Sequence, residues 1–300
     1  MNIQQLRYFC SVAHHGTFSR ASEALRIAQP AITRQVQMLE RELGTQLFNR
    51  RPRGVTVTDA GNLLLMRVEP ILHSLEQIKV ELTDMDSQPS GIMRIGCTPG
   101  LTEEFLMPPL QEFMANWPQV RINLQEHTSE ALFKAVLTEN LEAAIITAQA
   151  DHSEIESHHL FSEPVLLCGP AEALQTSQEV SLQSVASLRL IIARKSLTTR
   201  DIIERLFVSE NMFPNIAVET DSIHATAHLV ATGHGFKVAP RLSMQKYINS
   251  GALSGAAIDG ITIRRVLIHR RDVWITKSVQ HFMAGIKRFS AKISENIISL

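Results

Sequence analysis

The chain has 300 residues, 44% hydrophobic and 20% charged, with a formal net charge of −1. That balance excludes a disordered chain, leaves room for two or three cores, and means that a nucleic-acid partner must be met by a local basic patch rather than by the field of the whole molecule. No apolar run approaches the ~20 residues that cross a bilayer and no basic-then-apolar leader opens the chain, so a cytoplasmic protein without a membrane partner is expected. Cys10, Cys97 and Cys168 are odd in number, far apart and set in apolar contexts. They read as reduced core residues, with a redox sensor as the alternative.

Residues 1–58 hold eight Arg, no Lys and three Glu, a local excess of five positive charges. Phe18, Ala21 and Leu25 form the apolar stripe of a short helix. A second helix follows, with Ile32, Val36, Leu39 and Leu43 on one face and Gln29, Thr33 and Gln37 on another, beside Arg34 and Arg41. Pro30 suits its first turn and Gly44 its end. Leu47 to Thr58 then reads as a two-stranded ribbon with Arg50, Arg51 and Arg53 at its tip. One helix face packs and the other can read DNA: amide and guanidinium groups make paired bonds to purine edges, which points to Gln29, Thr33 and Arg34 as major-groove contacts. Pro30 and Gln37 join that surface, and Arg50, Arg51 and Arg53 are expected on phosphate or in the adjacent minor groove. An ordinary solvated arginine surface is the alternative.

These residues carry a resemblance. Leu6-Arg7-Tyr8-Phe9, Gly16-Thr17-Phe18, Gln29-Pro30-Ala31, Leu39-Glu40, Leu43-Gly44, Leu47-Phe48-Asn49-Arg50 and Thr58 to Gly61 resemble the winged helix-turn-helix of the LysR-type transcriptional regulators. The likeness continues less sharply along the whole chain. Two positions depart from the family pattern: Ser22 stands where a second Ala is usual, and Ala28 where Ser is usual. Ala28 removes a capping oxygen from the reading helix, a loss of ~1 kcal/mol if nothing replaces it.

Residues 59–86 read as a long helix with Leu64, Val68, Ile71, Leu75, Ile78, Leu82 and Met85 alternating by four and three. So narrow a seam needs another helix to cover it; packing against its own domain is the alternative. Pro70 predicts a kink there, or a helix in two pieces. The resemblance implies that this linker pairs subunits into a homodimer or homotetramer. A breaker-rich segment through residues 87–91 marks a hinge.

From 92 to 300, strands are expected at Ile92–Cys97, Val120–Gln125, Ala143–Thr147, Pro164–Cys168, Leu188–Ala193, Ile216–Glu219, Phe236–Ala239 and Ile263–His269. Helices are expected near 102–116, 128–139, 199–211, 222–232, 240–249 and 276–294. The alternation argues for parallel sheets with helices on both faces, in two α/β halves rather than one sheet of eight strands. The resemblance implies a two-lobed, periplasmic-binding-protein-like effector domain, with lobe I at 92–162 and 268–300, lobe II at 163–267, and crossovers around Phe161–Glu163 and Ile268–Arg271.

Ligands of open α/β sheets bind beyond the carboxyl ends of strands, where helix N-termini present free N–H groups. That rule selects Thr98, Gly100, Thr102, Thr128, Thr147, Arg194, Lys195 and Ser222 as effector-binding candidates. Gly100 lets backbone approach a ligand, and Arg194 and Lys195 either meet a carboxylate or are surface charges. Thr102 has the alternative of a plain helix cap. His224 and His228 have the four-residue spacing of a metal pair but no Glu follows and no third ligand is evident. His14-His15 and His158-His159 read as exposed loop or helix-end residues, and no nucleophile elbow or phosphate loop appears. The expectation is therefore a non-enzymatic regulator without metal or cofactor. It would bind double-stranded DNA and a small polar or anionic effector, and work with the transcription machinery. The alternative is a small-molecule binding protein whose N-terminal module only dimerises. A metabolic enzyme on the two-lobed scaffold is a third reading, which turnover of a bound metabolite would reveal.

Overall fold

The computed structural model describes residues 1–51, 54–84, 88–148, 151–175, 178–194 and 198–298. The chain divides into two compact units, Met1–Met85 and Asp86–Leu300.

The first unit starts with α1 (Ile3–His15), which falls outside the expected elements. Its buried Leu6, Phe9 and Val12 nevertheless recur at helical spacing, and Asn2 and Gln5 form a reciprocal capping box at its start. Then come α2 (Phe18–Leu25), capped by the Thr17 side chain, and α3 (Gln29–Leu43). Ala28 at the head of α3 makes no side-chain cap, and Pro30 fills a position whose N–H would be unused. Gly44 ends α3 at φ +66°, a left-handed conformation that glycine adopts without strain. Strands β1 (Phe48–Arg51) and β2 (Gly54–Val57) form the antiparallel ribbon; its tip, Pro52 and Arg53, lies outside the described residues. Gly61 sits where a Cβ would lie 2.3 Å from the Leu47 carbonyl oxygen, so α4 (Asp59–Asp84) can pack here only with glycine. The α4 helix is a single element through Pro70, which overturns the two-piece expectation. The shared core gathers Phe9, Val12, Ala21, Ile32, Val36, Leu39, Phe48 and Val68, with Leu64, Leu65 and Leu72 of α4 packed on it. Leu43, expected on the packing face, is exposed, because the last turn of α3 runs past this core.

In the second unit, β3 (Gly91–Cys97) leads into a turn, α5 (Pro99–Leu101), then one π-helical turn at Thr102–Leu106 and α6 (Met107–Asn116). The expected uniform helix is interrupted because Pro108 and Pro109 lack N–H groups; the turn before them widens and the Met107 N–H reaches Thr102 O. Next are β4 (Val120–Glu126), α7 (Ser129–Leu137), β5 (Ala143–Thr147) and β6 (Ile155–Pro170). The chain continues through α8 (Leu182–Ala186), β7 (Arg189–Ile192), α9 (Thr198–Ser209), β8 (Asn215–Glu219) and α10 (Ile223–Ala231). It closes with β9 (Lys237–Pro240), α11 (Arg241–Asn249), β10 (Leu253–Arg270) and α12 (Lys277–Ile298).

The sheets are mixed, which corrects the all-parallel expectation. Parallel pairs join β3 to β4, β3 to β5 and β7 to β8, whereas β10 runs antiparallel to β5 and β6, and β6 antiparallel to β9. One sheet of order β4-β3-β5-β10-β6-β9 results, because β6 and β10 are much longer than expected and continue through both halves of the unit. β10 pairs with β6 from Leu253 to Arg270 and additionally with β5 from Arg265 to His269. Separate cores fill the two halves, around Phe105, Phe161, Phe282 and Ile286 in one and around Leu190, Phe207, Val238 and Ile258 in the other.

Candidate nucleic-acid interface and ligand cleft

On α3, Ile32, Val36 and Leu39 are buried, while Gln29, Pro30 and Arg34 are exposed and Thr33 and Gln37 half-exposed. The Thr33 hydroxyl donates to the Gln29 carbonyl (3.0 Å), so in the free protein its proton is used within the helix. Glu40 ties the helix to the ribbon, its Oε1 accepting from the N–H groups of Leu47 (2.8 Å) and Phe48 (3.3 Å). The ring of Phe48 packs 5.2 Å from that of Phe9. These contacts fix where the ribbon stands beside the exposed helix face, and Arg51 is exposed on that ribbon. The Arg50 side chain lies outside the described residues.

In the second unit a cleft of about 330 Å³ opens at the carboxyl ends of β3, β4, β5, β7 and β8 and beside β9. Its floor is an ion pair. Arg265 Nε donates to Glu163 Oε1 (2.6 Å) and its Nη1 to Thr147 Oγ1 (2.6 Å), while Glu163 Oε2 accepts the Leu242 N–H (2.7 Å) at the start of α11. Both side chains are almost fully buried. On one wall Ser129 Oγ accepts the Thr147 N–H (3.2 Å), and the buried Thr98 hydroxyl has no hydrogen-bond partner among the described residues. On the other, Arg200 is buried and donates to Glu204 (2.7 Å), the Ala193 carbonyl and Glu219 (3.1 Å). Lys237 also lines the cleft. Burial holds its ammonium down to about 8, with Arg200 adding to the effect and Asp221 opposing it. Among the described residues no carboxylate comes within ion-pair distance of it.

Both units match families of known proteins. Residues 3–62 match the family described as bacterial regulatory helix-turn-helix protein, lysR family, and residues 86–290 match the LysR substrate binding domain. The chain belongs to the LysR family. It is a transcriptional regulator with a DNA-binding domain and an effector-binding domain. It is 32% identical over 241 residues to the nitrogen assimilation regulatory protein nac of Klebsiella aerogenes, covering 80% of this chain and 78% of that one. To the HTH-type transcriptional regulator GltR of Bacillus subtilis it is 28% identical over 289 residues, 96% of each. Its fold is that of full-length CbnR complexed with its target DNA (TM-score 0.72, 20% identity, 96% of this chain and 100% of that one). It is likewise that of a full-length OxyR variant from Pseudomonas aeruginosa (TM-score 0.73, 20% identity, 96% and 98%).

Of the cleft residues expected from the sequence of this LysR protein, Thr98, Gly100, Thr128 and Thr147 line it. Thr128 also caps α7 by accepting the Ala131 N–H. Gly100 also makes room for α11, since a Cβ there would meet Ser243 Oγ at 2.3 Å. Three candidates stand elsewhere. Thr102 is not among the lining residues, and its hydroxyl is buried without a hydrogen-bond partner among the described residues. Ser222 caps α10 through the Ala225 N–H. Arg194 is largely exposed and pairs with Asp221, its Nε 2.6 Å from Oδ2 and its N–H 2.9 Å from Oδ1, which also holds the Asp221 carboxyl below its ordinary range. Lys195 lies outside the described residues.

Lys237, Arg200 and Arg265 escaped the strand-end rule. Two had a signal: Lys237 is a charge inside an apolar strand, and Arg200 is a cation in the first turn of a helix, where the helix dipole disfavours it. All three cysteines are buried, and burial pushes each thiol up to about 12, far from the thiolate a redox sensor needs. The Tyr247 hydroxyl lies 2.7 Å from His224 Nδ1, and His14 pairs with Glu69 at 2.7 Å.

Proposed function

We propose that this regulator switches promoter output when a small organic anion enters the cleft between the two halves of its effector domain. The observation that carries the reading is Lys237, a half-buried cation that lines the cleft without a carboxylate partner among the described residues, in a cleft where the Thr98 hydroxyl is unpaired among those residues too. Desolvating a charge without pairing it is costly, and an anionic ligand relieves that cost. The protein acts by binding, without turnover, in the cytoplasm where its DNA lies, and reports to the transcription machinery. Gln29, Thr33, Arg34 and Gln37 read the major groove, with Pro30 at the helix start, while Arg50, Arg51 and Arg53 hold backbone or minor groove. The exposed seam of α4 joins subunits.

The test is a panel of small carboxylates and phosphates followed by melting temperature. At least one member should stabilise the parent, and Lys237→Met should weaken its binding at least ten-fold, the equivalent of about 1.4 kcal/mol. Lys237 is charged below about 8, so the parent's affinity should be retained below that pH and decline above it, the bound anion moving the loss upward. Equal affinity of parent and variant removes Lys237 from the site. For DNA, Arg34→Ala should weaken operator binding by about 1–3 kcal/mol and relax discrimination at one base position. Equal weakening on every duplex assigns Arg34 to the phosphate backbone.

A further inference from the structure

Outside the cleft, β6 and β10 bring Glu156, His158 and His269 to one point. His269 stands directly opposite Glu156 in the antiparallel register, and His158 is two residues along from Glu156, so alternation puts all three on one face. His158 thus belongs to a strand and not to the exposed loop or helix end expected for it. Its Nε2 lies 3.1 Å from Nε2 of His269 and 3.5 Å from Oε1 of Glu156, and His269 Nε2 lies 3.9 Å from Oε2. Four-coordinate zinc with arms of about 2.0–2.1 Å holds its donor atoms roughly 3.3–3.4 Å apart. The three donors therefore already stand near the corners of such a site.

Their surroundings suit a metal. His269 is buried, and its Nδ1 lies 2.9 Å from the carbonyl oxygen of Arg270. A carbonyl only accepts, so Nδ1 carries the proton and Nε2 offers its lone pair; the same contact fixes the ring, as backbone carbonyls do for metal-bound histidines. Without a metal, His158 must spend its Nε2 proton on His269. Glu156 is partly exposed, which leaves a route of entry and room for a water as fourth ligand.

We propose that Glu156, His158 and His269 form a binding site for a divalent transition-metal ion of the zinc type, clamping β6 to β10 in the effector domain. The test uses untagged, full-length protein stripped with a chelator and dialysed, titrated with zinc chloride by calorimetry and with cobalt(II) chloride by visible absorption. One metal per chain should bind, with the d–d bands of four-coordinate cobalt, without thiolate charge-transfer bands, and with a rise in melting temperature. Glu156→Gln and His158→Asn change partly exposed side chains, and each should weaken zinc binding at least ten-fold while melting like the metal-free parent. Should one of them unfold, the other carries the comparison, and the cobalt spectrum of the parent reports the ligand set without any substitution. Absence of saturable binding, a thiolate-type cobalt spectrum, or zinc binding by both variants at parental affinity overturns the proposal.

Discussion

Arg265→Met is expected to cost the effector domain about 3–5 kcal/mol, because it strands the buried Glu163 carboxylate with the Leu242 N–H as its donor. The pair joins β6, which carries Glu163, to β10, which carries Arg265, and its second arm reaches Thr147 at the end of β5. For a unit of this size the loss lowers the melting temperature by roughly 6–20 °C. Methionine keeps much of the arginine stem's volume, so cavity formation adds little and the effect reports the unpaired charge. The double variant Glu163→Leu/Arg265→Met should recover most of the stability, since replacing both members of a buried pair by apolar groups is often neutral. A single variant that melts within about 2 °C of the parent would show that Glu163 finds another partner at the floor of the cleft.

That floor was the least legible part of the molecule from its residues, and the reason is register. Arg265 matters because it stands opposite Thr147 on one neighbouring strand and bonds Glu163 on another, pairings of high sequence separation that no local pattern encodes. Arg194 and Arg200 look alike in sequence. One is a largely exposed partner of Asp221 and the other is buried beneath the cleft, a difference made by the way α9 lies against the sheet. The same limit hid the histidine pair, whose members are 111 residues apart and share no spacing. Local signals served well where one element decides the outcome. The stripe of Ile32, Val36 and Leu39 gave α3 and its buried face, and the strand-end rule reached Thr98 because a helix start follows β3 directly. The alternation of strands and helices gave the α/β class but misjudged strand direction. β6 and β10 carry polar residues mid-strand, Ser157 to His159 and Asp259-Gly260, which read as breaks and concealed their length.

The heptad seam of α4 leads to the second large effect. Its two readings divide along the helix: Leu64 and Val68 pack into the core of their own unit with Leu65 and Leu72, whereas Ile71 and Ile78, seven residues apart, are 54% and 48% exposed with half-buried Leu75 between them. An exposed apolar row on a helix that has already satisfied its own core is the face a second subunit is expected to cover. Ile71→Asp/Ile78→Asp alters only exposed positions, so each unit should fold with a stability change of about 0.5 kcal/mol or less per site. In an assembly the two aspartates meet their counterparts in a desolvated seam, and the subunits should separate. Operator binding then depends on one DNA-binding domain at a time, and the gain from linking two, typically about 10²–10⁴-fold, should be lost. Sedimentation at the concentration used for operator titration checks both expectations on one sample. An oligomer that persists with parental operator affinity would place the subunit contact elsewhere, and Ile71 and Ile78 would be solvent-facing residues of the linker helix.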